Sequence, residues 1–243
     1  MKVLISSDGL NAHHYIRVSW SKVFSSMGYE VRIWQKDETP AFDAFDEFEP
    51  DIFMGQSYHL DEALFKCIQH RPHMKVVLRG SDWGDIQKDI DLDKYPILVA
   101  SKEEKKLLER LKKETGKPDF VHNHYHENWI KHTHNKWEDI GIKPFSLIHG
   151  ADVFEFGLRP PVDVLKCDIG FVGGYWPYKA KCLDKYLIKL CHPVGDYNIK
   201  IFGNRNWPVV QYMGSIASEN VGSLFASATV SPNISEPHSQ DFG

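Results

Sequence analysis

The sequence predicts an α/β protein made of two Rossmann-like units, each a largely parallel sheet wrapped by helices and the two facing a cleft. Three observations predict it. Short β-prone apolar runs alternate with helical patterns along most of the chain. A stretch without clear periodicity, EFGLRPPVDVLK at 155–166, carries Pro160–Pro161 and divides the alternation into two series. In the second series, successive predicted strands end in glycine, cationic or acidic residues, the pattern of a ligand site at a sheet edge. The expected domains are 1–154, a linker at 155–166, and a second, partial unit at 167–243.

KVLIS (2–6) is the first strand and runs into polar SSDG. YIRVSWSKVFSSM (15–27) sets Ile16, Trp20, Val23, Phe24 and Met27 on one helical face, with Gly28 as the expected C′ residue. EVRIW (30–34) is the second strand, which completes a βαβ unit. A third strand lies at 51–54, LDEALFKCIQHR is an amphipathic helix, and MKVVLRG is a fourth strand. PILVAS is read as a fifth strand, and Ser101 as the N-cap of the charged helix KEEKKLLERLKKETG. VHNHYHENWIKHTH reads as a polar surface connection anchored by Tyr125 and Trp129, and PFSLIHG as a sixth strand.

After the linker, CDIGFVG is a strand and KCLDKYLIKLC a helix. NIKIFG is a strand, VVQYMG a short strand, SENVGSLFASA a helix, and TVSPNI a strand. A doubly wound domain usually needs roughly 100–150 residues. This second series is shorter and stops at Gly243, so a fragment or an omitted tail is expected.

Composition narrows the function. With 243 residues, 42% apolar and 26% charged, the chain is of the soluble globular class. A net charge of −4 argues against a protein that coats nucleic acid. No apolar run approaches the ~20 residues that span a bilayer, and MKVLISSDG lacks a signal-peptide core. Cys67, Cys167, Cys182 and Cys191 have no CxxC spacing and are read as reduced thiols of a cytoplasmic protein.

The chemistry-bearing residues gather at strand ends. Gly173 and Gly174 close a buried strand, and Lys179 and Lys181 open the next helix. Glycines admit a ligand to the backbone, and a helix N-terminus favours negative charge, so this turn suits a diphosphate. Arg205 follows the next strand, and Glu236 the last. A phosphate needs cations and N–H donors, while sugar hydroxyls need carboxylates. In the first series, SSDGLNAHHYIR brings Asp8, His13 and His14 to the first strand end. Asp8 is a candidate acceptor contact there, and either histidine is a candidate general base. RGSDWGD places Arg79, Ser81, Asp82 and Trp83 at another. The alternating His122, His124 and His126 admit a zinc site, but no Cys or HExxH accompanies them, and no metal is expected. The first half has no GxGxxG, which argues against NAD.

Residues 167–237, DIGFVGGYWPYK through IKIFGNRNW to YMGSIASENVGSLFASATVSPNISEP, resemble the C-terminal half of GT-B glycosyltransferases of the CgeB-like, family-1 type. They are also loosely similar to the matching segment of bacteriophage DNA β-glucosyltransferases. The HGAD stretch at 149–152, with Phe154 or Phe156, resembles the turn that leads into the GT-B linker. The resemblance implies a UDP- or GDP-type sugar donor bound as substrate by the second domain, an acceptor bound by the first, and no cofactor. It implies that Gly173, Gly174 and Lys179 touch the diphosphate. Glu236 would be the first carboxylate of an E-x7-E pair, whose second member would fall at 244 or later.

Other readings stay open. A nucleotide-sugar epimerase would use the same architecture and convert the donor alone. A binding module would keep the fold without the chemistry. A DNA-base glucosyltransferase fits the phage resemblance and is opposed by the acidic balance. The acceptor is otherwise a glycan, a protein or a small molecule.

Overall fold

The computed structural model describes residues 1–9, 12–80, 85–87, 97–99, 101–147, 152, 156–157 and 159–234. Residues 12–13, 85–87, 97–99, 135–136 and 178 are described by backbone alone. The chain forms two compact units, Met1–Gly150 and Ala151–Gly243.

In the first unit, β1 (Lys2–Ser7) leads into α1 (Ala12–Ser26), which Gly28 closes with φ 85°. Then come β2 (Glu30–Gln35), α2 (Ala41–Phe48), β3 (Ile52–Gln56), a 3₁₀ turn at Ser57–His59, α3 (Glu62–Gln69) and β4 (Lys75–Arg79). β5 (Asp85–Gln87), β6 (Ile97–Val99), α4 (Lys102–Thr115), β7 (Phe120–Asn123), α5 (Glu127–Thr133) and β8 (Lys143–Ser146) complete it. Six of these strands form one parallel sheet in the order β2-β1-β3-β4-β7-β8.

Alternation along the strands builds two cores. Val3, Ile5 and Met54 face one way and pack with Trp20 and Phe24 of α1. Leu4, Phe53, Leu78 and Val121 face the other way and meet Phe45, Leu64, Leu108 and Leu111 of α2, α3 and α4. A parallel sheet buried on both faces must carry apolar residues on both. Caps fix the helix starts: the Asp61 carboxylate accepts from the Leu64 N–H at 2.9 Å, and the Ser101 hydroxyl from the Glu104 N–H at 3.1 Å.

In the second unit, β9 (Cys167–Val172) is followed by α6 (Pro177–Tyr186), β10 (Ile199–Phe202), α7 (Ser218–Ser227) and β11 (Ala228–Val230). The strands are parallel in the order β10-β9-β11. Ile169, Phe171, Leu183, Leu187, Ile201 and Trp207 form the larger core. Leu224 of α7 packs with Phe202 and Cys167 in the smaller one. Among the described residues no helix is long and apolar enough to cross a membrane. All four cysteines are free and buried, and burial pushes the Cys67 thiol up to about 11.

Three local expectations are corrected, and one element is added. The histidine-rich segment is no surface connection at its start, because Val121, His122 and Asn123 are buried in the sheet strand β7. His122 is held by ring contacts with Trp20 at 5.4 Å and Phe145 at 5.6 Å. Residues 97–99 pair antiparallel with 85–87 in a separate ribbon, so they add no strand to the main sheet. Residues 209–214 form only an isolated bridge, Tyr212 to Ile201. Helix α2 was not anticipated, although Ala41, Ala44, Phe45 and Phe48 make one buried face.

Candidate functional site

Both sheets reverse direction beside their first strand. In the first unit the chain steps from β1 to β2, then crosses back to β3. In the second it steps from β9 to β10, then crosses back to β11. Ligands in open α/β sheets bind at such reversals, beyond the carboxyl ends of the two diverging strands. Each unit therefore has one crevice fixed by topology.

In the first unit the crevice brings together Asp8 after β1, Gln56 at the last position of β3, and His59 in the turn that follows. The Gln56 side-chain amide donates to Asp8 Oδ1 at 3.3 Å. Arg17 Nη1, from α1, lies 3.6 Å from Asp8 Oδ1, and His59 Nε2 lies 3.4 Å from Asp8 Oδ2. Three donors thus converge on one carboxylate that keeps part of its surface exposed. Lys36 fixes the turn, donating to the His59 carbonyl at 2.8 Å and pairing with Asp61 at 2.9 Å. Below it, the Ser57 hydroxyl donates to the buried Glu104 carboxylate and lies 3.0 Å from the Arg79 carbonyl oxygen.

Charge in this crevice is tuned by burial. Burial holds the His59 imidazole below the ordinary histidine range, against the opposing pull of Asp8. The same cause depresses Arg17, which Asp8 partly offsets. His59 Nδ1, 3.5 Å from the Gln56 amide nitrogen, accepts from it, while Nε2–H faces Asp8. With both nitrogens so placed, His59 orients Asp8, and the carboxylate is the group with a surface left to offer.

His14 reaches back to the ends of β1 and β2. Its Nδ1 is 3.0 Å from Ser7 Oγ and 3.3 Å from the Gln35 amide nitrogen. The His13 side chain, Ser81, Asp82, Trp83, His149–Ala151, Phe154 and Glu236 lie outside the described residues. Asp152 and Phe156 are described, and the Phe156 ring packs on Phe225 at 6.2 Å. Among the described residues no three His, Cys, Asp or Glu side chains are grouped to hold a metal.

In the second unit the crevice holds a cavity of about 470 Å³ lined by Phe171, Val172, Lys179, Phe225 and Ser231–Asn233. Gly173 and Gly174 lie between the end of β9 and the start of α6. α6 begins with Pro177 and has no side-chain cap and no acidic residue in its first turn, so its N-terminal field stays unneutralised there. The Lys179 ammonium lies in that turn, over the Phe171 ring at 5.6 Å. The loop after β10 is pinned to the same turn. The Gly173 N–H donates to the Phe202 carbonyl at 2.9 Å, and the Trp207 indole N–H to the Gly173 carbonyl at 3.0 Å. A Cβ on Gly203 would stand 2.2 Å from the Gly173 carbonyl oxygen, so only glycine permits this approach. Arg205 lies on that loop with its guanidinium 3.7 Å from the Trp176 ring centre.

No protein-family model matches the chain, and no curated protein matches it. Solved structures do. A mutant of T4 phage BGT in complex with UDP-glucose aligns with 99% of this chain and 75% of its own, at 15% identity and a TM-score of 0.57. T4 phage BGT in complex with its UDP-glucose substrate aligns with 99% of this chain and 74% of its own, at 15% identity and a TM-score of 0.53. The chain has the GT-B fold. Within that GT-B frame, the predicted Gly173, Gly174, Lys179 and Arg205 gather at one end of the second sheet. The sequence reading missed Arg17, Gln56 and His59, which surround Asp8.

Proposed function

We propose that the protein is a glycosyltransferase that moves a sugar from a nucleotide-diphosphate donor to an acceptor hydroxyl. The observation that carries this reading is the correspondence of nearly the whole chain with a GT-B protein bound to UDP-glucose. The second unit binds the donor, with the diphosphate at the Gly173–Gly174 turn. Kinship with the CgeB-like, family-1-type transferases rests on the 167–237 motifs.

The reaction needs three things. The acceptor oxygen attacks the anomeric carbon, and the bond from that carbon to the diphosphate oxygen breaks. The departing diphosphate gains charge, which Lys179, Arg205 and the N–H groups at the start of α6 neutralise without a metal. The acceptor proton passes to a base, and Asp8 is the described candidate. Gln56, Arg17 and His59 hold the carboxylate in place, which suits it to orienting a hydroxyl and accepting its proton. The outcome at the anomeric centre depends on which face the acceptor attacks.

The decisive test is incubation of the protein with UDP-glucose and other sugar nucleotides, followed by mass spectrometry for transferred sugar and released diphosphate. An epimerase would convert the donor sugar with no nucleotide release, and a binding module would leave the donor intact. The correspondence with T4 phage BGT and the resemblance to phage DNA β-glucosyltransferases favour a second reading, in which the acceptor is a DNA base. Unmodified bases carry no alcohol, so the matching probe is duplex DNA with hydroxymethylated pyrimidines, set against plain duplex and oligosaccharide.

A further inference from the structure

The Arg205 guanidinium lies 3.7 Å above the Trp176 ring centre, and among the described residues no carboxylate pairs with it. An exposed arginine ordinarily samples many rotamers, and ordering it on a ligand costs entropy. A carboxylate partner would hold it still but cancel its charge. An aromatic face holds it still and leaves the charge intact.

The indole is itself fixed where the chemistry needs it. Trp176 is the residue just before α6, and its Nε1 would lie 2.5 Å from a Cβ on Gly174. The Asn204 side-chain oxygen stands 3.1 Å from that same point. Glycine at 174 thus lets the indole fold back over the turn and meet the loop that carries Arg205. The stack spans two strand ends, one contributing the helix start and the other the cation.

We propose that Trp176 is a positioning residue that holds Arg205 at the glycine turn, and that this aromatic clamp selects a nucleoside diphosphate over a monophosphate. The inference rests on the donor site proposed above. The second phosphate meets a planar, bidentate donor already in place, and a monophosphate does not reach it.

The test measures UDP, UMP, GDP and GMP affinities by calorimetry for wild type and for W176A, W176F, R205A and the W176A/R205A pair. Trp176 is 36% exposed and belongs to neither core of its unit, so truncation spares the packing. Circular dichroism checks the fold of each variant. Wild type is expected to prefer a diphosphate to its monophosphate. R205A should lose about tenfold in diphosphate affinity and little in monophosphate affinity. W176A should lose nearly as much, W176F should recover most of it, and the pair should lose no more than R205A alone. A W176A protein with the wild-type diphosphate-to-monophosphate ratio, or additive losses in the pair, overturns the clamp while leaving the donor site standing. Failure of the wild-type protein to bind any of the four nucleotides overturns both.

Discussion

At the scale of single residues, Asp8 is the side chain on which the first unit converges. Arg17, Gln56 and His59 all address it. If it orients and deprotonates an acceptor, Asp8→Ala lowers the rate of sugar transfer by about 10²-fold or more and leaves donor affinity unchanged. A loss of donor affinity instead would place Asp8 in the wrong half of the reaction. His59 makes a second prediction, about pH. Burial lowers its folded pKa below the ordinary value of about 6.5 that the unfolded chain shows. As pH falls through 6.5, the unfolded state takes up the proton first, so the folded state loses stability. Thermal midpoints of wild type therefore fall between pH 7 and 5, and those of His59→Gln fall less. Equal slopes for the two proteins would contradict the burial argument.

At the scale of elements, β7 is the instructive strand. It has four residues, two of them polar, and it sits between β4 and β8 with hydrogen-bonded neighbours on both sides. Native-state hydrogen exchange should find the amides of 121–123 protected to the same degree as those of 76–79, because both lie inside one cooperative sheet. Rapid exchange at β7 would restore the surface connection that its histidines imply. The strands with apolar runs, such as Leu4–Ile5 and Val76–Leu78, were legible because burial on both faces writes a local signal. β7 was not, since its stability comes from Leu78 and Phe145 across the sheet and from Trp20 above it. The candidate site divides the same way. Gly173, Gly174 and Lys179 lie close in sequence and were read from spacing. Gln56 meets Asp8 across 48 residues, and no local pattern records that contact. The loop pair at the second sheet offers its own test. Gly203→Ala forces a methyl against the Gly173 backbone carbonyl, so it should separate the two loops, lower the thermal midpoint and abolish diphosphate binding. Unchanged affinity would mean that the loops act separately.

At the scale of the whole molecule, both units repeat one plan. Each starts with a strand, steps to one side, and returns across it, leaving a crevice at the reversal. Alternation of strand and helix made this class visible in the sequence, whereas strand order required the structure. Under the function proposed above, the second crevice is the one that holds the nucleotide sugar. The most direct measurement is the thermal midpoint of the wild-type protein with and without UDP, GDP and UDP-glucose at saturating concentration. Binding to the folded state alone raises stability by about 2.7 kcal/mol at a hundredfold excess over Kd. A clear upward shift is expected with at least one of these ligands, and its loss in a Lys179→Ala, Arg205→Ala double variant. An unchanged midpoint with all three, or a shift that survives the double variant, would contradict the proposed donor site.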